Sequence, residues 1–185
     1  MNSFVGTSFL LPEEKILISK FIHPTKIIRF NLLYSNAKDS DSTSTFHYYC
    51  DGVFPTVTVV LDTSQRRFGG YCTISWGPST LGGSSARAPG SFIFNLSDKK
   101  KYELQDQLNT SAVNRNTSYG PTFGGGHDFC LCDNCNTSNS SYDGSNYSYD
   151  TKYKNYALAG TYNFYVKDYE VYQLELEYIR INKYY

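Results

Sequence analysis

The chain has no surplus of either charge: Lys plus Arg and Asp plus Glu are 17 each, for a formal net charge of zero. A nucleic-acid binder draws affinity from neutralising phosphates, so that class is not expected. The same balance speaks against a polybasic membrane anchor. No run approaches the roughly 18 apolar residues of a membrane-crossing helix, so no membrane insertion is expected either. Residues 1–11 hold a short apolar patch with no basic stretch, and Pro12-Glu13-Glu14-Lys15 stands where a signal peptide needs small residues. A cytoplasmic chain without a leader is expected, and Asn2 in second position excludes myristoylation.

Histidine is scarce, with only His23, His47 and His127, and none lies in a context that marks a catalytic base. No Gly-x-Ser-x-Gly elbow is present. Neither a catalytic nor a cofactor-binding residue can be assigned against the requirements of an active site, and no enzyme is expected. The five cysteines, Cys50, Cys72, Cys130, Cys132 and Cys135, are an odd number without framework spacing. Reduced thiols follow for a chain without a leader. The Asn-x-Ser/Thr triplets at Asn95, Asn109, Asn116, Asn136, Asn139 and Asn146 are then Asn- and Ser-rich loops, not glycan sites.

His127, Cys130, Cys132 and Cys135 offer ligand types that zinc accepts. Common sites pair two ligands on one knuckle with two from distant sequence, whereas these four fall within nine consecutive residues. A strand with Phe129 and Leu131 on one face and Cys130 and Cys132 on the other, as small buried hydrophobes, is the preferred expectation. No metal ligand is assigned, and a redox or metal role for Cys130, Cys132 and Cys135 stands as an alternative. Phe123-Gly124-Gly125-Gly126 lacks the Lys-Ser/Thr ending of a phosphate loop. Close backbone approach at a strand start explains it better, as it does Phe68-Gly69-Gly70.

Aromatics are abundant, 18 Tyr and 12 Phe, and both favour half-buried pleated surfaces. The 185 residues fit one domain able to bury a core without a staple. Pro12, Glu13 and Glu14 suit a helix start, and Leu17, Ile18, Phe21 and Ile22 recur at helical spacing until His23-Pro24. After that the period becomes two. Residues 29–35 alternate Phe30, Leu32 and Tyr34 against Asn31, Leu33 and Ser35. Residues 56–62 align Val57, Val59 and Leu61, and residues 68–76 return with Phe68, Cys72, Ile74 and Trp76 on one side, a hairpin. Phe92, Phe94 and Leu96 mark a short strand. The final strand, 162–176, sets Val166, Tyr172, Leu174 and Leu176 against Tyr165, Tyr169 and Val171, which predicts a central position covered on both faces.

Residues 77–90 and 136–150 read as long surface loops. The second contains no aliphatic residue, and its Tyr142, Tyr147 and Tyr149 are of a type enriched at protein interfaces. The sum is an all-β chain with minor α: a two-sheet antiparallel β-sandwich with one or two short peripheral helices. One domain over 1–185 is expected, with a helix at about 12–22, the sandwich at about 29–176 and a tail at 177–185.

The order of these segments resembles the TLDc domain family. Leu33-Tyr34-Ser35 followed by Thr45-Phe46-His47-Tyr48-Tyr49-Cys50 is similar to the opening of that domain. Pro55 to Val60, then Phe68-Gly69-Gly70-Tyr71, looks like its next hairpin, and Ser91 to Leu96 like its Phe-Leu-Phe strand. Phe123 to Phe129 resembles the Gly-rich start of a further strand. Ala157-Leu158-Ala159-Gly160, Phe164-x-Val166 and Tyr169 to Leu174 resemble the closing signature. The likeness runs over about 8–176, with Asp39-Ser40-Asp41-Ser42 departing from the usual glycine and 99–119 fitting loosely. It implies a non-catalytic protein-interaction module, with vacuolar-type proton ATPase subunits as partner and a link to oxidative-stress resistance. A structural subunit of a ciliary or cytoskeletal assembly is the alternative role.

Overall fold

The computed structural model describes residues 9–77, 84–144, 147–152 and 154–177. Most of the expected tail at 177–185, part of the loop at 77–90, Asn146 and most of the N-terminal apolar patch lie outside the described residues.

The helix α1 spans Pro12–Ile22 as its periodicity predicts. Glu14 reaches back to accept the Leu11 amide at 3.0 Å, which satisfies one of the donors a helix start leaves open. Ile18 is fully buried, and Leu17, Phe21 and Ile22 pack beside it. The face of α1 therefore lies on a sheet whose six antiparallel strands run in the order β1 (Ile27–Ser35), β12 (Val166–Glu177), β2 (Thr56–Asp62), β3 (Arg67–Cys72), β5 (Phe92–Asn95) and β6 (Lys100–Glu103). A second antiparallel sheet has the order β11 (Asn163–Phe164), β10 (Ser141–Tyr142), β9 (Phe129–Cys130), β8 (Thr122–Phe123), β7 (Val113–Asn114) and β4 (Ser85–Ala86). The two-sheet antiparallel expectation thus holds.

Two apolar layers follow. Val57, Val59, Phe92, Phe94, Tyr172 and Leu174 meet α1 on one face of the first sheet. Val60, Phe68, Phe123, Phe129, Tyr169 and Val171 fill the space between the sheets. Because the first sheet is covered on both faces, β2 is buried along nearly its whole length, Thr56 and Thr58 included. Gly69 and Gly70 make the close packing possible. A Cβ on Gly70 would stand 2.4 Å from the Phe123 ring, and one on Gly69 would stand 1.9 Å from the Thr58 carbonyl oxygen.

Several sequence expectations need correction. In β1 the register shifts between Leu32 and Tyr34, so Phe30 meets Tyr172 on the α1 side while Tyr34 turns into the inter-sheet core against Tyr169. In β12 the register shifts between Val166 and Asp168, and Val166 joins Tyr169 and Val171 instead of Tyr172 and Leu174. One extra residue in a strand reverses every side chain beyond it. Tyr165 and Leu176, expected to be covered, are exposed. β3 ends at Cys72, so Ile74 and Trp76 lie beyond the strand, although Trp76 is fully buried with its Nε1 donating to Thr56 Oγ1 at 3.0 Å. The supposed loop at 77–90 contains β4, and that at 136–150 contains β10.

Two further helical segments, α2 (Asn36–Asp39) and α3 (Thr43–Cys50), follow β1, which makes three among the described residues against one or two expected. α3 delivers Phe46 and Cys50 to the inter-sheet core, with Phe46 edge-on to both Tyr34 and Trp76.

Candidate functional site

The strands of the second sheet are too short to hold its long connections, and buried carboxylates do that instead. Asp128 is fully buried and accepts the amides of Tyr147 and Ser148 at 2.9 Å and of Tyr149 at 3.2 Å. Asp143, also fully buried, accepts the amides of Leu158 and Ala159 at 2.8 Å. Asp41 accepts those of Cys135 at 3.1 Å and Asn136 at 2.8 Å. A carboxylate offers several lone pairs, so one side chain satisfies a whole turn of amides. Gly124 is required at this point, since a Cβ there would stand 1.8 Å from an Asp128 oxygen, and its φ is +89°.

The result is a row of rings along the second sheet. Tyr142 on β10 stacks on His127 at 5.6 Å and on Tyr162 at 5.6 Å, both with 21° between planes. Tyr156 stands edge-on to Tyr162 at 6.0 Å, and Tyr119 edge-on to His127 at 5.4 Å. Tyr156 and Tyr162 are exposed, whereas Tyr119, His127 and Tyr142 are half-buried. His127 sits in a left-handed turn at φ +60°. Asn114 Nδ2 donates to its Nε2 at 3.2 Å, which leaves Nδ1 to donate to the Tyr142 hydroxyl. Burial lowers the His127 pKa and raises that of Tyr142, so the pair is neutral.

Beside the rings, Cys130 and Cys132 bring their sulfurs to 4.0 Å. Thr122 Oγ1 donates to Cys130 Sγ at 3.1 Å, and the Cys132 thiol points at the Ser140 carbonyl at 3.0 Å. Cys130 is buried and Cys132 partly open. The hydrogen bond from Cys130 lowers the pKa of Cys132 and correspondingly raises its own. Phe129 and Leu131 point into the inter-sheet core, as the strand expectation required. Cys135 departs from the pair: its sulfur lies 3.3 Å from Asn36 Nδ2 and 3.2 Å from Asp41 Oδ1, and burial raises its pKa. Among the described residues no three His, Cys, Asp or Glu side chains converge as a metal-ligand group.

The other sequence-selected residues separate. Tyr147 is exposed, and its ring covers Gly126, where a Cβ would stand 2.5 Å away. Tyr149, expected on the surface, is fully buried and donates to the Ala112 carbonyl at 2.7 Å. The amide clamp at Asp128 draws it inward. His47 bridges Asp51 at 2.7 Å and the Tyr119 carbonyl at 3.0 Å, a structural brace beneath the ring row. His23 stays near the surface beside Thr25. The residues alone do not mark Tyr119 and Tyr156, which fall in turn sequence without periodicity, and they place Tyr162 only at the start of the last strand. The pairing of β10 with β11 brings Tyr162 beside Tyr142, and Tyr156 and Tyr119 join the row edge-on to Tyr162 and His127.

No helix of the described residues is long and apolar enough to cross a membrane. The family model described as TLDc domain matches residues 4–175, nearly the whole chain. No curated protein matches the chain at a significant level.

Proposed function

The chain belongs to the TLDc domain family, and on that premise we propose that it is a non-catalytic protein-interaction module whose contact surface is the ring row Tyr156, Tyr162, Tyr142, His127 and Tyr119. The observation that carries this is the stacking of half-exposed aromatics on a sheet pinned from beneath by buried carboxylates. Stacked tyrosines offer large apolar area at small entropic cost while their hydroxyls can meet a partner. The buried polar groups nearby are engaged in holding backbone: Asp128 and Asp143 bind amides, and His127 is fixed between Asn114 and Tyr142.

The family resemblance supports subunits of the vacuolar-type proton ATPase as partner, in the cytoplasm, with a regulatory effect that bears on oxidative-stress resistance. The test uses the full chain as bait against the purified cytosolic sector of that ATPase. Tyr156→Ser with Tyr162→Ser should leave thermal unfolding unchanged and weaken capture about tenfold or more. Equal capture by the double variant removes the ring row from the interface. A regulator should also dissociate with added salt, whereas a skeletal subunit would resist extraction.

A second reading, thiol redox chemistry, rests on the 4.0 Å separation of Cys130 and Cys132 sulfurs beside partly open Cys132. Comparison of the same capture with Cys130→Ser and Cys132→Ser separates the two.

A further inference from the structure

Two of the five cysteine sulfurs stand as a pair, and the backbone between them explains how. β9 ends at Cys130, and the next residue, Leu131, turns its side chain into the inter-sheet core. The Leu131 amide donates to the Pro121 carbonyl at 3.2 Å, and its carbonyl accepts the Gly120 amide at 2.8 Å. Cys132 then leads into a turn, where its amide donates to Ser141 Oγ at 3.1 Å. With Phe129 and Leu131 committed to the core, Cys130 and Cys132 leave the chain on the other side, and their sulfurs stand 4.0 Å apart.

The two thiols are not equivalent. Cys132 is partly open to solvent, whereas Cys130 lies buried behind it. A file of donors runs outward from Thr122: its hydroxyl donates to Cys130 Sγ, the Cys130 thiol to Cys132 Sγ, and the Cys132 thiol to the Ser140 carbonyl. The Cys130 hydrogen bond holds the Cys132 pKa below the usual thiol value, so Cys132 is the readier thiolate. Cys50, Cys72 and Cys135 are buried, so an oxidant from solvent meets Cys132 first. An accessible thiolate beside a second thiol is the arrangement that oxidant-sensing cysteines share.

We propose that Cys132 and Cys130 form a reversible oxidisable pair, in which a hydroperoxide oxidises Cys132 and Cys130 then closes on it as an intramolecular disulfide. This rests on the thiol reading above and not on the ring row. In the first step the Cys132 thiolate attacks one peroxide oxygen, the O–O bond breaks, and a sulfenic acid forms while the other oxygen leaves as hydroxide and gains a proton. In the second step Cys130 Sγ attacks the sulfenic sulfur and the S–O bond breaks. The departing hydroxide takes the Cys130 proton and leaves as water. Two thiols and one peroxide thus become one disulfide and two waters (for hydrogen peroxide), with sulfur oxidised and peroxide oxygen reduced.

A bridge requires sulfurs about 2.05 Å apart, so Cys132 must swing inward, and its open side and the turn beyond it leave room. Leu131 stays held, so a bridge across a single residue is strained. Strained bridges are the readily reduced ones, which makes this a cycling pair and not a staple of the fold.

The full chain, reduced and then freed of reductant, is treated with hydrogen peroxide and followed by intact mass, with dimedone present to trap sulfenic acid. The parent chain should lose two hydrogens, carry no dimedone, and return to its starting mass with dithiothreitol. Blocking free thiols first, then reducing and labelling, should place the second label on Cys130 and Cys132 alone. Cys130→Ser should stop at the sulfenic acid and carry dimedone at Cys132. Cys132→Ser should react at least about tenfold more slowly than the parent, because only buried thiols remain. A parent chain that collects dimedone at Cys132 while Cys130 stays free overturns the bridge and leaves the thiol reading standing. Oxidation at Cys132 no faster than at the other four cysteines removes both. A bridge between two chains, seen as doubled mass, also overturns the proposal. The mass and label positions of the parent decide these outcomes even where a variant fails to fold.

Discussion

Glu14 on α1 and Arg67 on β3 form a two-pronged ion pair, with Arg67 Nη2 2.6 Å from Glu14 Oε2 and Arg67 Nε on the other oxygen. The same Nη2 donates to the Phe9 carbonyl at 2.9 Å, and the guanidinium lies over the Phe9 ring. Only 17% and 10% of these side chains are exposed, so each charge depends on the other. Arg67→Ala or Glu14→Ala should therefore cost about 3 to 5 kcal/mol, as breaking a buried pair does. Glu13→Ala, at an exposed position, should stay within about 0.5 kcal/mol. Urea unfolding of the three variants checks this, and equal effects for Glu13 and Glu14 would mean that α1 is not fastened by the pair.

The end of β12 makes a second contrast. Leu174 is 6% exposed beneath α1, and Leu176, two residues on, is 46% exposed. Leu174→Ala should cost about 2 to 5 kcal/mol, the range for emptying a core position. Leu176→Ala should cost less than about 1 kcal/mol. A similar loss at both positions would place Leu176 in a covered face.

These contrasts locate what could be read from the residues alone. α1, the pairing of β2 with β3, and β5 each carry a local period, and the structure places them where that period put them. Glu14 was legible as a helix-start acid but not as the partner of Arg67, because that contact joins residues 53 apart. The bulges in β1 and β12 left no mark in the alternation of side chains, so Tyr34 and Val166 were placed on the wrong face. The second sheet was the least legible: all of its strands are two residues long, too short to show any period. Asp128 and Asp143 organise that sheet, and in sequence they resemble any other loop aspartate.

The pH response of the ring row follows from His127. Its folded-state pKa is lowered by burial, so protonation favours the unfolded chain. Its contribution is fully present above the unfolded value of about 6.5 and is lost as pH falls through that value toward the lowered one. Asp62, Asp168 and Glu170, raised by burial, act in the opposite sense at lower pH, where protonation favours the folded chain. A difference measurement isolates the histidine. His127→Asn suits the left-handed backbone, and its stability relative to the parent should improve as pH falls from about 7.5 to about 5.5. A difference independent of pH would place His127 in water.

Thiol reactivity should single out Cys132. It is the one cysteine not buried, and the Cys130 hydrogen bond lowers its pKa, whereas burial pushes Cys72 up to about 12. Thiolate is the reacting form, so brief alkylation of the native chain should add one adduct at Cys132. The unfolded chain should take five. Cys130→Ala should slow the native reaction, while Cys130→Ser, which keeps a donor, should slow it less. Peptide mapping that finds Cys135 modified first would contradict the burial of its sulfur against Asn36 and Asp41.

Tyr147 and Tyr149 lie two residues apart in one polar segment, yet they should behave as different kinds of residue. Tyr149 is fully buried, rests edge-on to Phe123 at 6.2 Å, and donates its hydroxyl to Ala112. Tyr149→Phe removes one of the two donors to that carbonyl, the Gly124 amide remaining, and should cost about 0.5 to 1.5 kcal/mol. Tyr149→Ser also empties the core beside Phe123 and should cost about 3 to 5 kcal/mol or prevent folding. Tyr147 is 61% exposed, so Tyr147→Ser removes only the cover of Gly126 and should cost about 1 kcal/mol or less. Asp128→Asn tests why the two part company, because its carboxylate binds both amides and that of Ser148 between them. An amide side chain has one acceptor oxygen where the carboxylate has two, so at least one backbone donor loses its partner. That variant should destabilise the chain and accelerate hydrogen exchange at the amides of residues 147–149. Slow exchange there in Asp128→Asn would mean that the strand pairing of Leu104 with Tyr149 holds the segment without the carboxylate.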